Sequence, residues 1–224
     1  MDDLGWIALL AGIQDGFGPS VLLAGAVLLV LYFWLERRGL NSRPFLLVFI
    51  VSVAVFHLLF HMGFLIFIFS KPVFQKLIYA MCFLCAVVLA GSGIVILYDG
   101  MLVRRGKEPA CRWSSWFSTS GAGKNLAKKS WMTYLSMVSA AFLTGLVSGI
   151  SAMDSYMAII SNNVVIPGRL WSTMAVLAEY TAANLWPVLL LAVFFVWTKI
   201  SARLKQLVCA AVFLSAAASI FFLL

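Results

Sequence analysis

Residues 4–35 read LGWIALLAGIQDGFGPSVLLAGAVLLVLYFWL, an apolar run in which Asp15 is the only ionisable side chain. As one α-helix it would extend about 48 Å, well past the ~30 Å hydrocarbon layer of a bilayer. Its middle works against a continuous helix. Gly16-Phe17-Gly18 leads into Pro19, which has no N–H and clashes with the turn before it. The spacing therefore predicts that a helix reaching Gly16-Phe17-Gly18 breaks there and restarts. Backbone groups freed by a break in lipid need ions, water or side chains as partners. Taken alone, the stretch also fits a plain proline kink packed by its neighbours.

Five further apolar runs follow, at 45–69, 77–98, 131–160, 171–197 and 207–224. The chain is 63% hydrophobic and 11% charged, with a mean hydropathy of +1.04. Too few polar side chains remain to cover a soluble globule, so the solvent of this fold is lipid. Each run is long enough to cross it as helix and too long for a barrel strand. The expected fold is an all-α integral membrane protein of six transmembrane helices. The basic residues, net charge +8, report topology rather than nucleic acid. Thirteen of the 16 fall after runs one, three and five, and three (Lys71, Lys76, Arg169) fall on the opposite side. This bias makes the odd loops cytoplasmic and puts both termini outside. The start Met1-Asp2-Asp3 lacks the basic opening of a cleaved signal peptide, so no removal is expected.

The stretch 106–129 is Ser-, Gly- and Lys-rich without apolar periodicity, and reads as a basic cytoplasmic loop. It separates a first three-helix unit, 1–105, from a second, 130–224. Three spans per unit force opposite orientations, the inverted-repeat plan of many transporters. Sequence traces agree. Gly12-Ile13-Gln14-Asp15-Gly16 in run one matches Gly145-Leu146-Val147-Ser148-Gly149 in run four, where Ser151, Asp154 and Ser155 follow. Runs three and six both carry Cys-Ala-x-Val, from Cys85 and from Cys209. GxxxG also serves ordinary close packing of helices.

Paired interruptions in runs one and four point to a central site framed by Gly16, Gly18, Pro19, Ser20, Ser151, Asp154 and Ser155. Asp15, His57, His61, Asp154 and Glu179 are the ionisable groups within the runs, each expensive enough in lipid to face inward or into water. Charge or proton coupling is the role this distribution fits. His57 and His61 share a helical face and could hold a metal only if carboxylates completed the shell; packing or proton carriage fits the same spacing. Cys82 and Cys85 likewise share a face, as a redox pair or as small packing residues. Gly121-Ala122-Gly123-Lys124 lacks the spacing of a phosphate loop, and no nucleophile-elbow or zinc-protease motif occurs. No cofactor, no catalytic residue and no nucleic-acid partner is read from these residues.

The motifs resemble the CcdA/DsbD family of transmembrane thiol-reductant conveyors, within the wider LysE-like group of transporters. The 12–20 stretch is similar to that family's first-span motif, a Gly, Asp, Gly sequence leading to Asn-Pro-Cys. Tyr98-Asp99 before Arg104-Arg105 is similar to its third-span exit, residues 151–160 to its fourth-span motif, and Tyr180 with Pro187 to its fifth-span spacing. The resemblance implies a helix break at Pro187 as well, and a bacterial inner membrane with periplasmic termini. It also implies that the family's redox cysteines are replaced here, by Ser20 and Ser151. Serine forms no disulfide, so a non-redox relative moving a small solute, cation or proton is expected. The alternatives are a structural or assembly subunit of a membrane complex linked to cytochrome or periplasmic thiol handling, and a thiol relay through Cys82 and Cys85.

Overall fold

The computed structural model describes residues 2–37, 39–60, 72–105, 130–151, 170–197 and 201–223. They form α1 (Asp2–Asp15), α2 (Pro19–Arg37), α3 (Ser42–Leu59), α4 (Pro72–Arg104), α5 (Ser130–Ser151), α6 (Leu170–Asn184), α7 (Trp186–Trp197) and α8 (Ala202–Leu223). Pro19, Pro44, Pro72 and Pro187 all lie in the first turn of their helices, where a missing N–H breaks no intrahelical bond. Run one is therefore two helices rather than one. Helices α2 and α3 are joined by a tight turn in which Gly39 takes φ 66°. Its N–H donates to Glu36 O at 3.0 Å and the Leu40 N–H donates to Leu35 O at 3.1 Å, closing the end of α2 in the Schellman manner. Asn41 then caps α3, its Oδ1 accepting from the Arg43 N–H.

Among the described residues four helices, α2, α3, α4 and α8, are long and apolar enough to cross a membrane. The pair α6–α7, bent by 44°, makes a fifth crossing if counted as one span, and α5 carries a shorter apolar stretch, Trp131–Val147. The protein is an all-helical, multi-pass membrane protein in contact with the lipid bilayer. Helix α3 shows what lipid does to patterning. Phe49, Val53 and His57 are buried on one face while Leu47, Val51, Val55 and Leu59 are exposed on the other, so both faces are apolar and only packing tells them apart.

Helix α2 is the axis of the bundle. Of its membrane-length window 61% is buried, against 22–33% for α3, α4 and α8, and it packs on α8, α5, α7 and α3. Around it, three pairings dominate: α4 with α8, α3 with α5, and α1 with α6. Named contacts give their directions. Phe45 meets Tyr134 and Phe60 meets Phe142, so α3 and α5 run parallel. Phe83 meets Phe221 and Gly93 lies against Leu214, so α4 and α8 run antiparallel. Gly12 lies against Ala183, Gly16 against Trp186, Gly25 against Leu191 and Tyr32 against Phe195, so α1–α2 runs parallel to α6–α7 along its whole length.

Candidate functional site

Two broken helices thus lie side by side with their breaks at the same level. At the first break the Gly16 N–H donates to Ile13 O at 3.3 Å and the Gly18 N–H to Asp15 O at 2.7 Å, tightening the end of α1. Gly18 O then accepts from the Val21 and Leu22 N–H groups and starts α2. At the second break the helix turns at Leu185, Pro187 follows in the first turn of α7, and the axis bends. Glycine sets the approach. A Cβ on Gly12 would lie 2.5 Å from Tyr180 O and 2.8 Å from the Ala183 Cβ, and one on Gly16 would lie 2.6 Å from the Trp186 Nε1. Only bare backbone fits there.

Polar side chains join the two breaks. The Tyr180 hydroxyl donates to the Asp15 carboxylate at 2.6 Å, a charge-assisted bond between residues 165 positions apart. The Trp186 Nε1–H donates to Ile13 O at 3.2 Å, and its ring meets Phe17 edge to face with centroids 5.3 Å apart. Asn184 is buried, and its Oδ1 accepts no hydrogen bond among the described residues. In lipid an unfilled acceptor costs about 1–3 kcal/mol, so it marks a place where a cation or a donor fits. Tyr180 is fully buried, whereas Asp15 is half-buried.

The other residues singled out in the sequence divide as follows. Ser20 is buried in the first turn of α2, beside the break. His57 is buried on α3. Glu179 is exposed, and its Oε2 would lie 3.0 Å from a Cβ on Gly5. It therefore joins the seam of α1 and α6 near the start of α1, away from the pair Asp15–Tyr180. Ser151 ends α5. His61, Asp154, Ser155 and the 106–129 loop lie outside the described residues. Among the described residues no group of three or more His, Cys, Asp or Glu side chains is placed to hold a metal.

The break expected in run four at Ser151, Asp154 and Ser155 falls at and beyond the end of α5, with residues 152–169 outside the described residues. Helix α5 continues through Gly145 and Gly149 to Ser151. Gly145 receives the Phe60 ring, which a Cβ there would meet at 2.5 Å, so this glycine packs helices and does not interrupt one. The break that faces Gly16–Gly18 belongs to α6–α7. Cys82 and Cys85 are free thiols lining an apolar groove of about 170 Å³ between α4 and α5, with Leu23 and Val27 of α2 also in its wall. Tyr180, Asn184 and Trp186 are the site residues that sequence reasoning missed as a polar centre. A signal existed for the break itself, in Asn184-Leu185-Trp186-Pro187 interrupting an apolar run; none existed for the partner of Asp15.

Fold and site together define a multi-pass helical membrane protein with a carboxylate–phenol centre at two adjacent helix breaks. No family model, no curated protein and no solved structure matches the chain.

Proposed function

We propose that the chain moves a proton, a small cation or a small solute coupled to one across the membrane, with Asp15 and Tyr180 as the coupling pair. The observation that carries this reading is the register of the two breaks, which brings Asp15, Tyr180 and the unfilled Asn184 Oδ1 to neighbouring turns of adjacent helices. Broken helices with ionisable groups inside a bilayer are where solute and ion sites form.

Six crossings follow on this reading, with spans one (α1–α2), two (α3), three (α4), four (α5), five (α6–α7) and six (α8). The running directions support it: one and five are parallel, two and four are parallel, and three and six are antiparallel, as alternating spans require. The inverted repeat, 1–105 against 130–224 across the basic loop 106–129, has support in the same pairings. Interchanging the halves turns the span two–four contact into span five–one, and both are extensive. It departs from symmetry at one place. Helix α8 packs on α2, whereas the equivalent α4 and α5 make no comparable contact and leave the groove beside Cys82 and Cys85. One interface closed and its counterpart open is the arrangement that alternating access needs. Termini on the periplasmic side of a bacterial inner membrane, and a non-redox relation to the thiol conveyors, complete the proposal. Ser20 and Ser151 in place of cysteines support the latter.

Purified protein reconstituted in vesicles with an entrapped pH dye, under imposed proton and alkali-cation gradients, tests this. We expect flux in the wild type, loss in Asp15→Asn, strong reduction in Tyr180→Phe, and wild-type flux in Cys82→Ala/Cys85→Ala. Flux unchanged by Asp15→Asn would defeat the coupling role. Stoichiometric co-purification of another membrane protein with no flux at all would instead favour a structural subunit, and loss of function in the cysteine variant a thiol relay.

A further inference from the structure

The geometry points to a binding site for an anionic phospholipid in the groove between the end of α4 and the start of α8. It is independent of the transport reading. The two helices run antiparallel and are pinned at Gly100, where a Cβ would lie 3.0 Å from the Gln206 Nε2; that amide also donates to Ile96 O at 2.8 Å. One turn beyond this pin, the register brings Arg104 level with the first turn of α8, which carries Arg203. Both line a cavity of about 100 Å³ whose remaining wall is largely Leu97, Met101, Val103 and Leu207.

The charges there are unbalanced. Both arginines are exposed, and neither has an ion-pair partner among the described residues. The nearby Lys205 is engaged elsewhere, its Nζ donating to the Tyr32 hydroxyl of α2 at 3.1 Å. Two guanidiniums lining one cavity repel each other unless an anion offsets their charge, and the guanidinium fork suits phosphate oxygens. Below the arginines the groove is apolar and faces the bilayer, so the anion that fits carries hydrocarbon. A phospholipid with a net negative headgroup meets both demands: its phosphate bridges Arg104 and Arg203, and the first methylenes of an acyl chain lie along Met101 and Leu207. A zwitterionic lipid brings its own cation and gains less.

Native mass spectrometry of the protein in mild detergent, titrated with phosphatidylglycerol and phosphatidylcholine of the same chains, tests the assignment. The wild type is expected to retain phosphatidylglycerol preferentially, and Arg104→Gln/Arg203→Gln to lose about 30-fold of that affinity with phosphatidylcholine binding unchanged. Arg43→Gln, which removes a charge from the start of α3, serves as the control and should leave the preference as it was. In the unaltered protein phosphatidylglycerol should raise Tm where phosphatidylcholine and millimolar inorganic phosphate do not. Equal retention of the two lipids, an equal loss in Arg43→Gln, or stabilisation by phosphate alone would overturn the site.

Discussion

The two longest seams of the molecule are built in opposite ways. Along α4 and α8 two unbroken helices run antiparallel; Gly93 and Gly100 allow close approach, and the hydrogen bond described across the seam, Gln206 to Ile96 O, lies near its end. Along α1–α2 and α6–α7 both partners break, run parallel, and gather Asp15, Tyr180, Asn184 and Trp186 at the break. A regular helix satisfies its own backbone and can be wholly apolar in lipid, whereas a broken one must import polar groups. The hydrogen-bonded cluster of Asp15, Tyr180 and Trp186 therefore sits where the backbone is irregular, while His57 and Asp99 are buried within unbroken helices. The first seam reads as scaffold and the second as mechanism.

That contrast can be broken or sharpened by substitution, read as unfolding of purified protein in detergent. The largest effect is expected at Gly12→Leu, whose side chain would collide with the α6 backbone at Tyr180 O; about 3 kcal/mol should be lost. Gly91→Leu on α4, where a Cβ meets nothing within 4 Å, should cost almost nothing and marks the baseline. Tyr180→Phe should come next, at about 1.5 kcal/mol, because the lost bond is charge-assisted and leaves Asp15 with one donor fewer. Trp186→Phe keeps most of the ring contact with Phe17 and loses the bond to Ile13 O, for about 0.6 kcal/mol. The smallest loss above the Gly91 baseline belongs to the scaffold seam: Gln206→Met should cost about 0.5 kcal/mol or less, since Ile96 O lies mid-helix and keeps its intrahelical donor. If Gln206→Met proved costlier than Tyr180→Phe, the division between scaffold and mechanism would fail.

The membrane class, the runs that became α2, α3, α4 and α8, and a break at Gly16-Phe17-Gly18 before Pro19 were all legible in the residues. They depend on local chemistry: hydropathy summed over one span, and a proline that cannot sit inside a helix. The same local reading left Gly145 open between a repeat motif and ordinary helix packing. A glycine pair looks alike whether it breaks a helix or admits the Phe60 ring, and what decided between them was a side chain on another helix. Asp15 was singled out as costly in lipid, yet Tyr180 could not be named as its partner.

The sequence by itself determined that this chain lives in a bilayer as helices, where one of those helices must break, and which few polar groups lipid obliges it to house. The tertiary structure decided which break faces which, that Asp15 finds Tyr180, and that Glu179 lies on a surface seam. The reason is physical. In water, hydrophobicity separates the inside of a fold from the outside and so writes packing into the sequence. In lipid both faces of a helix are apolar, and partners are chosen by the shape of their surfaces, down to the missing Cβ of Gly12 and Gly16 against the backbone of α6 and the ring of Trp186.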